Sequence, residues 1–143
     1  MLLDPWNVFS SSFGLVPKPY TALATLTDLV LAFSLMVRVV YARKTHQIPH
    51  PSLDGPETFV RIARVQVSMI EQLVLHLPLL WIAAFAMNDV FSASLGFVWA
   101  LSRILYARGY YKKAKRRAKG VMIGLVVNVL LFAGALAGTI ASF

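Results

Sequence analysis

The sequence predicts an all-α integral membrane protein, a bundle of four helices, and three observations carry that prediction. Of its 143 residues, 58% are hydrophobic and only 14% are charged. A soluble domain carries about 25% charged side chains, so the shortfall points to lipid as the solvent, as does a mean hydropathy of +0.68. Apolar runs of the roughly 20 residues needed to cross a hydrocarbon core occur four times. The basic residues, which give a net charge of +8, gather in alternate connections rather than spreading along the chain.

The elements follow in order. Met1–Pro19 has no basic segment followed by an apolar core and a small-residue cleavage site, so no cleaved leader is expected. The first span covers residues 20–43 and ends in Arg43 and Lys44. A loop with Pro49, Pro51, Gly55 and Pro56 follows, and it suits a path along the membrane surface. The second span covers residues 58–85, and Pro78 inside it is expected to bend the helix by removing one backbone bond. Met87, Asn88 and Asp89 make a short connection without a basic residue. The third span covers residues 90–111 and runs into Lys112, Lys113, Lys115, Arg116, Arg117 and Lys119. The fourth covers residues 121–143. Gly120 with Gly124, and Gly134 with Gly138, have the small-xxx-small spacing that lets helices approach closely. The whole chain, residues 1–143, reads as one membrane domain. By the positive-inside rule both basic loops face the cytoplasm and both termini lie on the opposite side.

The second span opens with charge where charge is expensive. An ionisable group inside a membrane helix costs roughly 2.5–3.5 kcal/mol even on the mildest scale. At about 100° per residue, with Arg64 as origin, Glu71 lies about 20° to one side, and Ser68, Arg61 and Gln72 about 40°, 60° and 80° to the other. Gln66 points nearly the opposite way. On the third span Arg103, Tyr106 and Tyr110 share a stripe about 60° wide, while Arg108 points elsewhere. Two such stripes suit one polar cavity near the basic end of the bundle. The structural alternative is an ion pair between Arg64 and Glu71, with Arg103 neutralised by some other partner. Only Glu71 and Asp28 are available to three arginines, so positive charge is left over. An anionic ligand fits that surplus, since arginine's planar fork suits carboxylates and phosphates.

Other chemistries find less support. The chain has no cysteine, so it supplies no thiol of its own. His76 has no second histidine or carboxylate at ligand spacing, so no metal site is expected. Asp28 is expected to pair across the bundle with an arginine or a hydroxyl. Beside four spans, the run Lys112–Lys119 points to lipid headgroups rather than nucleic acid. A proton-coupled exporter using Glu71 is disfavoured, because a cavity rich in arginine repels cationic cargo.

These residues, in this order, resemble the MAPEG family, the membrane-associated proteins in eicosanoid and glutathione metabolism. The likeness extends from about Tyr41 to Phe143. Tyr41-Ala42-Arg43-Lys44 ends the first helix in the family manner. Gly55-Pro56-Glu57 leads into Arg61-x-x-Arg64-x-Gln66-x-Ser68-x-x-Glu71, similar to the family's second-helix signature. The run from Arg103 to Tyr110 resembles its third-helix motif. Two positions depart: Val60 stands where the family often has Glu, and Ser68 where it commonly has Asn.

The resemblance implies a four-helix protomer in a homotrimer, with glutathione as co-substrate bound between subunits near the cytoplasmic face. It places Arg64, Ser68, Glu71, Arg103, Tyr106 and Tyr110 around the glutathione, with Gln66 and Arg43 reaching it from the adjacent protomer. Arg117 falls where the leukotriene C4 synthase branch has its thiol-activating arginine, and a hydroxyl of Tyr106 or Tyr110 is the other candidate for contacting the sulfur. The implied activity is a glutathione transferase or peroxidase acting on lipophilic electrophiles or lipid hydroperoxides. Since some members only present lipids to a partner enzyme, the alternative is a non-catalytic lipid-binding scaffold of the same fold.

Overall fold

The computed structural model describes residues 18–143. The expectation for Met1–Pro19 therefore falls almost wholly outside the described residues. Four helices form: α1 (Pro19–His46), α2 (Glu57–Ala86), α3 (Asp89–Lys112) and α4 (Ala118–Ile140), with a short 3-10 helix, Ala114–Arg117, between the last two. All four are long and apolar enough to cross a membrane. This is the predicted architecture, and with the family assignment below it makes the chain a multi-pass integral membrane protein. Each of the first three helices runs slightly beyond its predicted span. The fourth is shifted toward the N-terminus, because the basic connection is itself largely helical. Pro78 lies within an unbroken α2.

The helix ends are set by local chemistry. Pro19 occupies the first turn of α1, where a missing N–H costs nothing. Arg43, Lys44 and His46 lie in its last turn, against the negative end of the helix dipole. Asn88 caps α3 through Oδ1, which accepts from Val90 N at 2.7 Å and Phe91 N at 3.3 Å. Asp89 reaches across to the start of α1. Its carboxylate accepts from Tyr20 N at 3.1 Å, Thr21 N at 2.9 Å and Thr21 Oγ1 at 2.6 Å. One short connection thus caps two helices.

The inward face of α1 recurs every three or four residues: Thr21, Ala24, Asp28, Ala32, Leu35, Val39 and Ala42 are buried. Small residues dominate it, so α2 and α3 come close. Outward lie large apolar side chains such as Val30, Phe33 and Val40, an inversion natural to a protein whose solvent is lipid. Both glycine pairs of α4 pack against other parts of the same chain. A Cβ on Gly120 would lie 2.5 Å from Tyr106 N and 2.7 Å from Ser102 O, so α3 and α4 cross there backbone to backbone. Gly138 lies equally tight against Ala86 O.

Near mid-bundle the four helices meet at His76, which is 0% exposed. Its ring stacks on Trp99 of α3, centroids 3.9 Å apart and planes 4° from parallel. Nδ1 lies 2.8 Å from Asn128 Oδ1 of α4, and Nε2 lies 3.5 Å from Asp28 Oδ2 of α1. The partner expected for Asp28, an arginine or a hydroxyl, is therefore corrected to a histidine. No arginine pairs with Asp28 among the described residues.

Two stability outcomes follow. His76→Leu leaves Asn128 and Asp28 without their histidine neighbour, and a buried polar group so orphaned costs about 1–3 kcal/mol, which shows as a fall in the melting temperature of the detergent-solubilised protein. Adding Asp28→Ala should recover part of that loss; a double variant as unstable as the single one contradicts the pairing. Asp89→Ala should cost about 1–2 kcal/mol, as lost helix caps do. Faster amide exchange confined to the first turn of α1 is the signature to look for.

Candidate functional site

The site is built on α3. Arg103, Tyr106 and Tyr110, spaced three and four residues apart, present one stripe, and the 3-10 helix brings Arg117 back over its end. Close approach makes this return possible: a Cβ on Gly109 would lie 2.5 Å from Arg116 O. The side chains then stack in order. The Arg103 guanidinium lies 4.4 Å from the Tyr106 ring centroid. Tyr106 and Tyr110 stack at 5.8 Å with planes 9° apart. The Arg117 guanidinium lies 5.4 Å from the Tyr110 ring. Two cations cap a pair of tyrosines.

Arg103 is only 4% exposed, yet no carboxylate pairs with it among the described residues. What offsets its desolvation is the face of Tyr106, that of Trp99 at 5.8 Å, and a hydrogen bond from Nη2 to Ser68 Oγ at 3.0 Å. Nε is buried with no protein acceptor. Ser68, Gln72, Arg103, Tyr106 and Arg117 line one cavity of about 350 Å³, floored by Val121, Gly124 and Leu125. Its walls carry two guanidinium groups and no carboxylate. In a low-dielectric surrounding, that composition suits an anion.

The structure divides the polar sector of α2. Ser68 and Gln72 turn inward to the cavity. Gln72 belongs to its wall although it was not among the expected site residues; its place at one edge of the polar sector was the available signal. Arg64 and Glu71 lie on the outward side, both exposed, and they form no ion pair with each other. The structural salt bridge considered from sequence is therefore absent. Seven residues separate the two, so their backbones stand about 10 Å apart along the helix. Arg64 instead lines a second cavity, of about 230 Å³, with Asp54 and Val60. A sector about 100° wide is broad enough to straddle the line where bundle interior gives way to exterior.

The other arginines are partly engaged. Arg61 pairs with Glu57 and donates to the carbonyls of Tyr111 at 3.4 Å and Lys112 at 3.3 Å, so it secures the C-terminal end of α3. Arg43 Nη1 donates to Pro49 O at 3.2 Å and Ser52 O at 2.7 Å, bracing the loop after α1. Gln66 is half-buried and lies outside the cavity that holds Ser68.

The chain is 42% identical over 120 residues to an uncharacterized protein of Synechocystis sp., covering 84% of this chain and 85% of that protein. It is 35% identical over 106 residues to microsomal glutathione S-transferase 2 of Mus musculus, covering 74% and 72% of the two chains. With leukotriene C4 synthase of Bos taurus it shares 31% identity over 122 residues, 85% and 81% of the respective lengths. The profile of the MAPEG family matches residues 21–137, which take in all four helices and the cavity. The chain belongs to the MAPEG family.

Proposed function

We propose that this protein is a glutathione-dependent membrane transferase or peroxidase acting on lipophilic electrophiles or lipid hydroperoxides. The observation that carries this reading is the cavity bounded by Arg103 and Arg117 with no acidic residue in its wall. Glutathione supplies two carboxylates for guanidinium groups and an ammonium for Glu71. Relatives named as a glutathione S-transferase and a leukotriene C4 synthase support it.

In this proposal Arg103, held by Ser68, binds a carboxylate of the tripeptide, and Tyr106 and Tyr110 form a flat wall beside it. Arg117 lies next to the sulfur. A free thiol has a pKa of roughly 8.5, and a neighbouring cation favours the thiolate. Arginine does this without exchanging the proton, because it stays charged. The thiolate sulfur then bonds to an electrophilic carbon, whose displaced group or opened oxygen takes up a proton. With a hydroperoxide, two glutathiones give the disulfide, the alcohol and water.

Arg64 and Glu71, exposed on one protomer, complete the site when a second copy covers that side of α2. We therefore take the working unit to be a homotrimer, with Gln66 and Arg43 contributed across the boundary. Arg43 uses only Nη1 on its loop, which leaves Nη2 and Nε to donate. The basic end, and with it the site, faces the cytoplasm in this reading.

Glutathione added to the purified protein should produce the ultraviolet thiolate band at neutral pH. Arg117→Leu should abolish the band while calorimetric binding stays within a few-fold, whereas Arg103→Leu should abolish both. Neither band nor binding in the unaltered protein would sink the proposal; binding without a band would favour the lipid-binding scaffold. Light scattering from the detergent-solubilised protein should give a mass of three chains. A monomer that binds glutathione at full affinity would overturn the trimeric site.

A further inference from the structure

The cations around the α3–α4 connection are not all used by the cavity. Arg108, Lys112, Lys115, Arg116 and Lys119, contributed by α3, the 3-10 helix and α4, converge on a separate groove of about 620 Å³. All five side chains are exposed, and none is in an ion pair among the described residues. Arg108 lies five residues beyond Arg103, about 140° around the helix, so the groove opens on the side of α3 away from the tyrosine stack. Five like charges brought to one groove repel one another and call for a counter-charge.

The surface leading into the groove says what kind of anion fits. On α3 the stripe through Lys112 and Arg108 continues at three- and four-residue steps into Leu105, Leu101 and Val98, all exposed. On α4 the stripe through Lys119 continues the same way into Ile123, Val126 and Leu130, also exposed. Each helix thus presents cations at the end of its span and an apolar track beneath them. A free anion has no use for such tracks. A phospholipid does, because its acyl chains lie along the helices while its phosphate stands at the level of the charges.

We propose that this groove binds the headgroup of an anionic phospholipid, with the acyl chains laid along the Val98–Leu105 and Ile123–Leu130 tracks. The site is independent of the thiol cavity and of whether that cavity holds glutathione. Cations that only extend to the membrane surface would serve equally well if dispersed. Here three elements deliver them to one groove, and the close packing of Arg116 on Gly109 sets its depth.

The test uses the full chain in a non-ionic detergent, examined by native mass spectrometry with phosphatidylglycerol and phosphatidylcholine of the same acyl chains. Phosphatidylglycerol should remain bound in preference to phosphatidylcholine, and millimolar inorganic phosphate should not displace it. The double variant Arg108→Gln/Lys112→Gln should weaken retention roughly 30-fold, the effect of two headgroup-level cations. Lys18→Gln/Lys44→Gln removes the same charge elsewhere and should leave retention unchanged. Equal retention of both lipids, equal loss in both double variants, or displacement by inorganic phosphate would each overturn the assignment.

Discussion

The arrangement depends most on the junction at His76. Polar groups in a lipid-solvated bundle find no water, so each must be satisfied by another part of the protein. His76 meets that requirement at Nδ1, which lies 2.8 Å from Asn128 Oδ1 of α4, while its ring stacks on Trp99 of α3 and its Nε2 faces Asp28 of α1 at 3.5 Å. Apolar packing alone lets membrane helices slide at little cost, since lipid tails are as apolar as leucine. A buried polar junction does not slide, because a shift of one residue leaves its groups unpaired. Register is thereby set for all four helices at one level.

The position of the cavity follows from that register. Ser68 precedes His76 by eight residues and Arg103 follows Trp99 by four, which are about 12 Å and 6 Å of helix rise. Because α2 and α3 run antiparallel, both offsets lead toward the basic end, where Ser68 Oγ meets Arg103. The last member, Arg117, is delivered by packing rather than by register. The 3-10 helix closes on Gly109, and α4 starts hard against α3 at Gly120. Side chains at those glycines would push α4 outward and take Arg117 away from Tyr110.

Charge in this protein is sorted by face. Aromatic rings rather than carboxylates face these arginines among the described residues: Trp99 and Tyr106 face the buried Arg103, Tyr110 the exposed Arg117, and Tyr111 the exposed Arg38 at 4.3 Å. A ring face attracts a cation without cancelling its charge, so the guanidinium groups stay able to attract an anion. Outside, the cations of the connection stand over apolar tracks at the level of lipid headgroups. α3 serves both, with Arg103 on one side and Arg108 on the other.

Much of this was legible in the chain itself. Four apolar runs, their short connections and the placement of lysine and arginine determine a four-helix membrane bundle, because hydrophobic length and loop charge act locally. The stripe Arg103-Tyr106-Tyr110 was equally readable, since residues three and four apart share a helix face whatever surrounds them. Tertiary structure decided the rest. Periodicity groups Arg64 with Ser68 but does not locate the edge of the bundle, and packing placed them in different cavities. It also drew Arg61 to the end of α3 and Arg43 to its own loop, paired Asp28 with a histidine 48 positions away, and folded the basic connection so that Arg117 faces one cavity and Arg116 another. Those outcomes depend on which helices touch and at what depth, and one helix's pattern carries no information about its neighbours.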